Sequence, residues 1–553
     1  METPTKELFV SLPTNEQIAR LEQVDARTRQ QLILSSGHSF DLVRSLSSEK
    51  LFYTLKEIGL SDAVDLLALA SPEQTRDMID LDCWRKDALD DRRLLSWMML
   101  LDEAGSSKLA EWALNVDIEV LVLLVKRHME VVRKIEVEED PDFDQSRYFT
   151  FDDQYLLRFM GEDEPILALL LERMRVLDYE TYRHLLEWSL FELDSSLEEN
   201  SLHWRNARLA DRGYPNYDEA QALFRFIAPE SLVLEPYRRA AMTKIRYVAD
   251  EELVPADHAL MLMDSRDSLL VRALGTLPPE YVEQIGHELA VLTNETAVAE
   301  ARDLGEVTEI RKCAEEVHDY VNIGLAYRAR ENEEEATRLL LNTQLRPFFQ
   351  IGVSVTLRLQ RRAREIDVVL RRQIDEEWEA LLDSPFREVC ANARRHPPVF
   401  FRGLEAPGEI FSRRFRNMTE VRQVETVLDW VPLWFAILQR GRLLPERNLQ
   451  DNVTLAMLWN TALSWWVISG QLKIQPLKRR DLSILQKKFT PVFLDDELAR
   501  FLSFLSAELS LTDDETAAMN ALASFARDKM EETLSVDAET VDLRFLDGVL
   551  AEA

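Results

Sequence analysis

Between Asp41 and Met129 the sequence is cut into roughly five or six short amphipathic segments, each too short to hide its apolar face alone. Leu51, Phe52, Leu55 and Ile58 share one helical face, and Gly59 stops that helix. Ser61-Asp62 opens the next, whose apolar residues are Val64, Leu66, Leu67 and Leu69. Ser71-Pro72-Glu73-Gln74 opens a third: serine caps, proline suits the first helical position, and an acid meets the positive end of the helix dipole. Short helices in succession must stack on their neighbours, as in a helical solenoid. A looser echo follows at Phe151 to Phe191, without a strict residue period.

The rest of the chain obeys the same grammar. Only 15 glycines occur in 553 residues, less than half of the roughly 7% of average usage, which fits long helices joined by short connections. Further helix openings are read at Ala228-Pro229-Glu230, Leu277-Pro278-Pro279-Glu280 and Leu511-Thr512-Asp513-Asp514, an acidic helix at Arg328 to Leu341, and one long helical pattern from Ile351 to Ala380. No sustained alternation of apolar and polar residues calls for a sheet. The expected fold is all-α, with an armadillo-like superhelix in the N-terminal part followed by helical bundles. The expected divisions are an N-terminal superhelix over 1–135, an acidic linker over 136–147, a second helical segment over 148–232, an acidic segment over 233–344, and a C-terminal domain over 345–553. The stretch Glu136 to Asp144, carboxylate-rich and broken by Pro141, reads as a charged loop.

A net charge of −33 disfavours nucleic acid and anionic membranes and favours basic partners or divalent cations. The charge is uneven: Leu345 to Lys488 holds 24 Lys+Arg against 16 Asp+Glu. Such a basic segment can pair with the acidic remainder within one chain or between copies, so a homo-oligomer built on acidic/basic complementarity is one expectation. Cys83, Cys313 and Cys390 are far apart and in no metal or disulfide spacing, which points to core thiols in a reducing compartment. No basic-then-apolar leader opens the chain, and the uncharged stretch Asn452 to Leu472 carries two asparagines and several hydroxyls, so it is expected to be a buried core helix. Together these readings place the protein in the cytoplasm, without membrane insertion.

Templates for catalysis fail in turn. The chain has no phosphate loop, dinucleotide fingerprint, GxSxG elbow or HExxH. Glu315-Glu316-Val317-His318 contains a lone Glu-x-x-His, whereas a di-iron bundle needs two, so a surface helix carrying a histidine is expected. His184 and His287, four residues after Glu180 and Glu283, read as local helix contacts. No cofactor and no metal ligand set is expected, although acidic faces admit weak divalent-cation binding.

Two strings stand out as candidate ligand- or partner-binding positions. Leu202 to Pro215 supplies Trp204, Arg205, Arg208, Asp211 and Tyr214. Arg205 and Arg208 have the chemistry to grip an anion, but a helix end with its arginines paired to Asp211 or nearby carboxylates weighs more. The second string, Arg394-Arg395-His396-Pro397-Pro398-Val399-Phe400-Phe401-Arg402, followed by Arg413-Arg414-Phe415-Arg416, interleaves base and aromatic. That pattern suits nucleic acid. The acidic chain argues instead for internal pairing of Arg394, Arg395 and their neighbours.

Several strings together resemble the bacterial family catalogued as domain of unknown function 6178. They are Ala70-Ser71-Pro72-Glu73-Gln74, Asp80 to Asp87, the Trp204 to Pro215 string, Leu345-Arg346-Pro347-Phe348-Phe349-Gln350-Ile351-Gly352 and Arg395-His396-Pro397-Pro398. The resemblance implies a cytoplasmic helical protein and brings no activity with it. The Asp41 to Met129 region is also similar, in helix rhythm and acidic surface, to the N-terminal domain of MgtE-type magnesium transporters and to the flagellar switch protein FliG. No pore follows it, so transport is not implied. The leading expectation is a scaffold that binds a protein partner. A cation- or ligand-sensing module and an enzyme with an unfamiliar helical site are the alternatives.

Overall fold

A computed structural model describes residues 6–21, 24–105, 107–161, 164–210, 212–237, 267–406, 408–444, 453–488, 491–535, 543 and 546–552. Helices account for most of them, and the strands among them form three two-stranded antiparallel ribbons. The all-α reading holds. The chain divides into two compact units, one of residues 1–225 with 231–350 and one of residues 226–230 with 351–553.

In the first unit the short helices form where their caps place them. The Pro72–Asp82 helix has the full capping box: Gln74 N donates to Ser71 Oγ, and the Gln74 side chain accepts from Ser71 N. The Ser48–Ile58 helix is capped by Ser47 and ends at Gly59, whose φ of +107° suits glycine. Each helix packs on the one after next. Ala26–Ser35 meets Ser48–Ile58, which meets Pro72–Asp82, which meets Lys108–Ala113; Ser39–Ser45 meets Val64–Leu69, which meets Asp91–Ala104. Alternate helices therefore make two staggered layers, with Phe52, Leu66, Met78, Trp97 and Trp112 buried among them.

The Ile118–His128 helix runs into strand Met129–Arg133, which pairs with Tyr155–Phe159 in register Met129↔Phe159 to Arg133↔Tyr155. The acidic stretch 136–144 lies in the connection between these two strands. The Tyr179–Phe191 and Asp194–Ala210 helices pack against the Ile118–His128 helix. The unit is completed by the Pro279–Ala299 and Val307–Ala329 helices, which pack on each other.

Some expectations shift. The acidic helix read at Arg328 to Leu341 is two helices: Arg330 and Glu331 take positive φ, and Asn332 caps a new start at Glu333. Among the described residues no helix begins at Ala228-Pro229-Glu230, where the chain is extended and then turns. His318 is not on a surface helix; it is 3% exposed. Its Nε2 lies 3.2 Å from Ser268 Oγ and its Nδ1 3.1 Å from Asp319 Oδ1, so it ties the cap of the Leu269–Gly275 helix to the Val307–Ala329 helix. His287 Nδ1 sits 2.9 Å from Glu283 O, the local contact its spacing suggested.

In the second unit the long helix read from Ile351 ends at Gln373. The Met418–Arg440, Leu455–Ser469 and Asp513–Ser535 helices carry the core, with Trp378, Trp434 and Trp459 at 0–1% exposure. The uncharged stretch read as a core helix is the Leu455–Ser469 helix, capped by Thr454, while Asn452 lies outside the described residues. Its Asn460 Nδ2 donates to Ala526 O and Gly548 O. Asp383, 4% exposed, is a hub: it accepts from Ala456 N at the start of that helix and from Lys529 Nζ on the Asp513–Ser535 helix. No described helix is long and apolar enough to cross a membrane.

Candidate functional site: a buried ionic ladder

The Pro72–Asp82 helix places Asp77, Asp80 and Asp82 on its last two turns, and all three are buried at 2–5% exposure. Burying a charge is tolerated only when it is paired and hydrogen-bonded. The partners come from the Asp194–Ala210 helix and the turn after it. Arg208 spans two carboxylates, with Nε 2.7 Å from Asp80 Oδ2, Nη2 3.2 Å from Asp80 Oδ1, and Nη1 and Nη2 3.0 and 2.7 Å from the Asp117 oxygens. Arg205, one turn earlier, donates from Nε to the Asp80 backbone oxygen at 2.9 Å and lies over the Trp84 ring. That carbonyl belongs to the last turn of its helix, where a cation satisfies an orphan acceptor and the negative dipole end together. Arg212 joins Asp77 and Glu49, the latter at 3.2 Å.

Asp82 anchors a second cluster. Lys56 Nζ lies 2.8 Å from its Oδ1, Arg93 Nη1 donates to Oδ1 at 3.0 Å and Trp97 Nε1 to Oδ2 at 2.8 Å. Arg93 also grips Asp303, so the 301–306 turn docks here, and Tyr53 Oη donates to Leu304 O at 3.2 Å. Gly305 fits because it has no side chain: a Cβ there would run into Asp82 Oδ1 and stand 2.9 Å from Arg93 Nη1. Gly305→Ala is expected to cost ~1–3 kcal/mol through this overpacking, read as a lower denaturation midpoint.

Burial raises the Asp80 and Glu49 carboxyls above their ordinary values, against the pull of Arg208 and Arg212. It lowers Arg205 to about 10, which still leaves it charged at neutral pH. For Arg208 the burial cost is outweighed by its bonds to Asp80 and Asp117, and it is held above the usual arginine range. The nearby Tyr53 and Tyr214 hydroxyls are raised by burial. The same cause raises the thiols of Cys83 and Cys313 and brings Cys390 up to about 12. Since the thiolate is the reactive form, a disulfide reagent at pH 8 is expected to modify none of the three in the native protein and all three in denaturant.

The string read as a helix end with paired arginines meets carboxylates of its own chain. Arg205, Arg208 and Tyr214 face inward. Trp204 is 50% exposed on the outer side of its helix beside His203. Asp211 lies outside the described residues, and the arginines' partners are Asp80 and Asp117, more than 90 positions away in the sequence. Sequence reading missed Asp77, Asp80, Asp82, Glu49 and Arg93. The signal available was acids at 77 and 80 facing arginines at 208 and 212, each pair spaced by about one helical turn. In the second unit Arg394 is paired with Asp367 at 2.6 Å and Glu379 at 2.5 Å, and Arg413 with Glu420 at 2.9 Å. Arg395 is exposed and has no ion-pair partner among the described residues. Among the described residues no group of three or more His, Cys, Asp or Glu is placed to hold a metal ion.

What these units define is a helical protein whose most conspicuous polar cluster is an internal clamp. The chain belongs to the family of unknown function DUF6178, whose model matches residues 6–552. No curated protein and no solved structure matches it, and no match supports the likeness of its N-terminal part to the MgtE or FliG domains.

Proposed function

We propose that this protein is a cytoplasmic scaffold whose first unit presents a surface to a protein partner beside the Met129–Arg133 strand and the end of the Tyr179–Phe191 helix. The observation that carries the reading is a contrast within the first unit. The cations of its buried ladder are taken up by its own carboxylates and, for Arg205, by the Asp80 carbonyl, while large apolar side chains stand in solvent around Arg133. Phe191 is 64% exposed with the Arg133 guanidinium 4.8 Å from its ring centre; Leu193, two residues on, is 69% exposed, and Ile135, two residues after Arg133, is 79% exposed. Arg133 is held by Glu187, whose carboxyl that bond keeps below its ordinary value. An exposed apolar cluster rimmed by fixed charges is the form of a protein-binding patch.

The test is a tagged pull-down of the full-length protein from its native host, wild type beside Phe191→Ser with Leu193→Ser. The expected result is a stoichiometric partner retained by the wild type and lost by the variant, whose melting temperature stays within about 2 °C because surface changes rarely exceed ~0.5 kcal/mol. Equal retention by both proteins would sink the assignment of this patch.

A further inference from the structure

Residues 453–480 contain no aspartate or glutamate, in a chain with 99 of them. Within this run, Trp465, Trp466, Val467 and Ile468 near the end of the Leu455–Ser469 helix are only partly buried, whereas nine of its first ten residues are buried. Lysines gather around them. Lys473 Nζ lies 5.5 Å from the Trp465 ring centre, and Lys488 Nζ donates to Val467 O at 3.3 Å. The Arg479–Lys488 helix packs on the same Leu455–Ser469 helix and adds the exposed Ile484 and Lys487, with exposed Lys478 just before it. Trp466 packs on the buried Phe501 and continues the apolar surface to Phe504, which is 37% exposed. Among the described residues Lys473, Lys478, Lys487 and Lys488 have no carboxylate within ion-pair distance, although acids outnumber bases in the chain by 99 to 66. Over 473–488 there are six cations and one acid, and that acid, Asp481, is buried.

We propose that this patch of the second unit rests on an anionic lipid surface. Tryptophans at the end of an uncharged helix, flanked by lysines with flexible stems, suit the boundary between headgroups and acyl chains. Lysine stems lie along apolar surface while the ammonium reaches phosphate. Lys478 precedes the Arg479–Lys488 helix and Lys487 and Lys488 end it, and their ammonium groups lack the guanidinium fork that would select a single carboxylate. The acidity of the whole chain does not forbid the contact. Residues 1–350 hold 39 Lys+Arg against 68 Asp+Glu, whereas residues 351–553 hold 27 against 31, and at physiological salt a field is screened within ~8 Å, so the local balance decides. The contact is peripheral, since no described helix spans a bilayer. It is independent of the protein-partner reading above, which rests on the first unit.

The test is co-sedimentation of the full-length protein with phosphatidylcholine vesicles, with and without an equal share of phosphatidylglycerol. Salt is raised from about 0.1 M to about 1 M, which shortens the screening length from ~10 to ~3 Å. The expected result is sedimentation with the anionic vesicles alone, lost at high salt. Each lysine at such a surface is worth about a factor of five. Lys478→Gln with Lys487→Gln and Lys488→Gln, three exposed residues with no ion pair among the described residues, is therefore expected to lower partitioning roughly a hundredfold at an unchanged melting temperature. Trp465→Ser is expected to weaken binding to the same vesicles without altering its salt dependence. No wild-type sedimentation, equal sedimentation with neutral vesicles, or a triple variant within about threefold of wild type would overturn the proposal. Salt-sensitive capture by polyglutamate without vesicle binding would also overturn it and assign the patch to an acidic polypeptide.

Discussion

Arg208→Ala is expected to destabilise the first unit by ~3–5 kcal/mol, the usual cost of removing one partner from a buried pair. The size follows from what is left behind. Asp80, 5% exposed, loses both side-chain bonds to Arg208, and Asp117 loses two. Arg205 stays buried, bonded to the Asp80 carbonyl rather than to the carboxylate, so it does not take over. Asp80→Asn is expected to cost less, because an amide can still accept from Arg208. The double variant should cost less than the sum of the singles, since it leaves no unpaired carboxylate at position 80 and only Asp117 without its arginine. The measurement is a denaturant series on the four proteins of that cycle. Additive effects would mean that the ladder contributes nothing as a pair.

Asp383→Ala is expected to have a similar effect, ~3–5 kcal/mol, in the second unit. Asp383 is the acceptor for the first turn of the Leu455–Ser469 helix, through Ala456 N, and for the Lys529 ammonium at 2.6 Å. Its loss leaves a buried amide without its acceptor and a partly buried ammonium without its counter-charge. Lys529 lies 5.5 Å from the Phe525 ring centre, a contact that offsets little of this. Asp383→Asn is expected to retain the Ala456 bond and to recover part of the stability. Thermal unfolding of both variants checks this, and equal midpoints for Asp383→Ala and wild type would remove Asp383 from the account of this core.

Much of this fold is legible in the sequence. Gly59, the Ser71 capping box and Pro279 at a helix start each fix a boundary through local chemistry, so each could be read without knowing the neighbours. The uncharged helix at 455–469 was legible from its asparagine and hydroxyls, and Asn460 Nδ2 finds two distant carbonyls. The ladder was harder. Asp77, Asp80 and Asp82 on a short amphipathic helix look like its solvent face, and only the arrival of a helix more than 100 residues later turns that face inward. The break at Arg330 was missed because its left-handed residues are arginine and glutamate rather than glycine. His318 was misplaced because its partners, Ser268 and Asp319, tell of burial only once the Leu269–Gly275 and Val307–Ala329 helices are known to be neighbours.

The account rests on the claim that the arginines of the Trp204–Pro215 string hold the first unit together, while binding belongs to its surface. The most direct test is one paired measurement on Arg205→Ala with Arg208→Ala: the thermal midpoint of the purified full-length variant, and its retention of the host partner at a temperature where it is still folded. The account predicts a midpoint lowered by several degrees with partner retention kept. An unchanged midpoint together with a lost partner would contradict it and make the string a binding site.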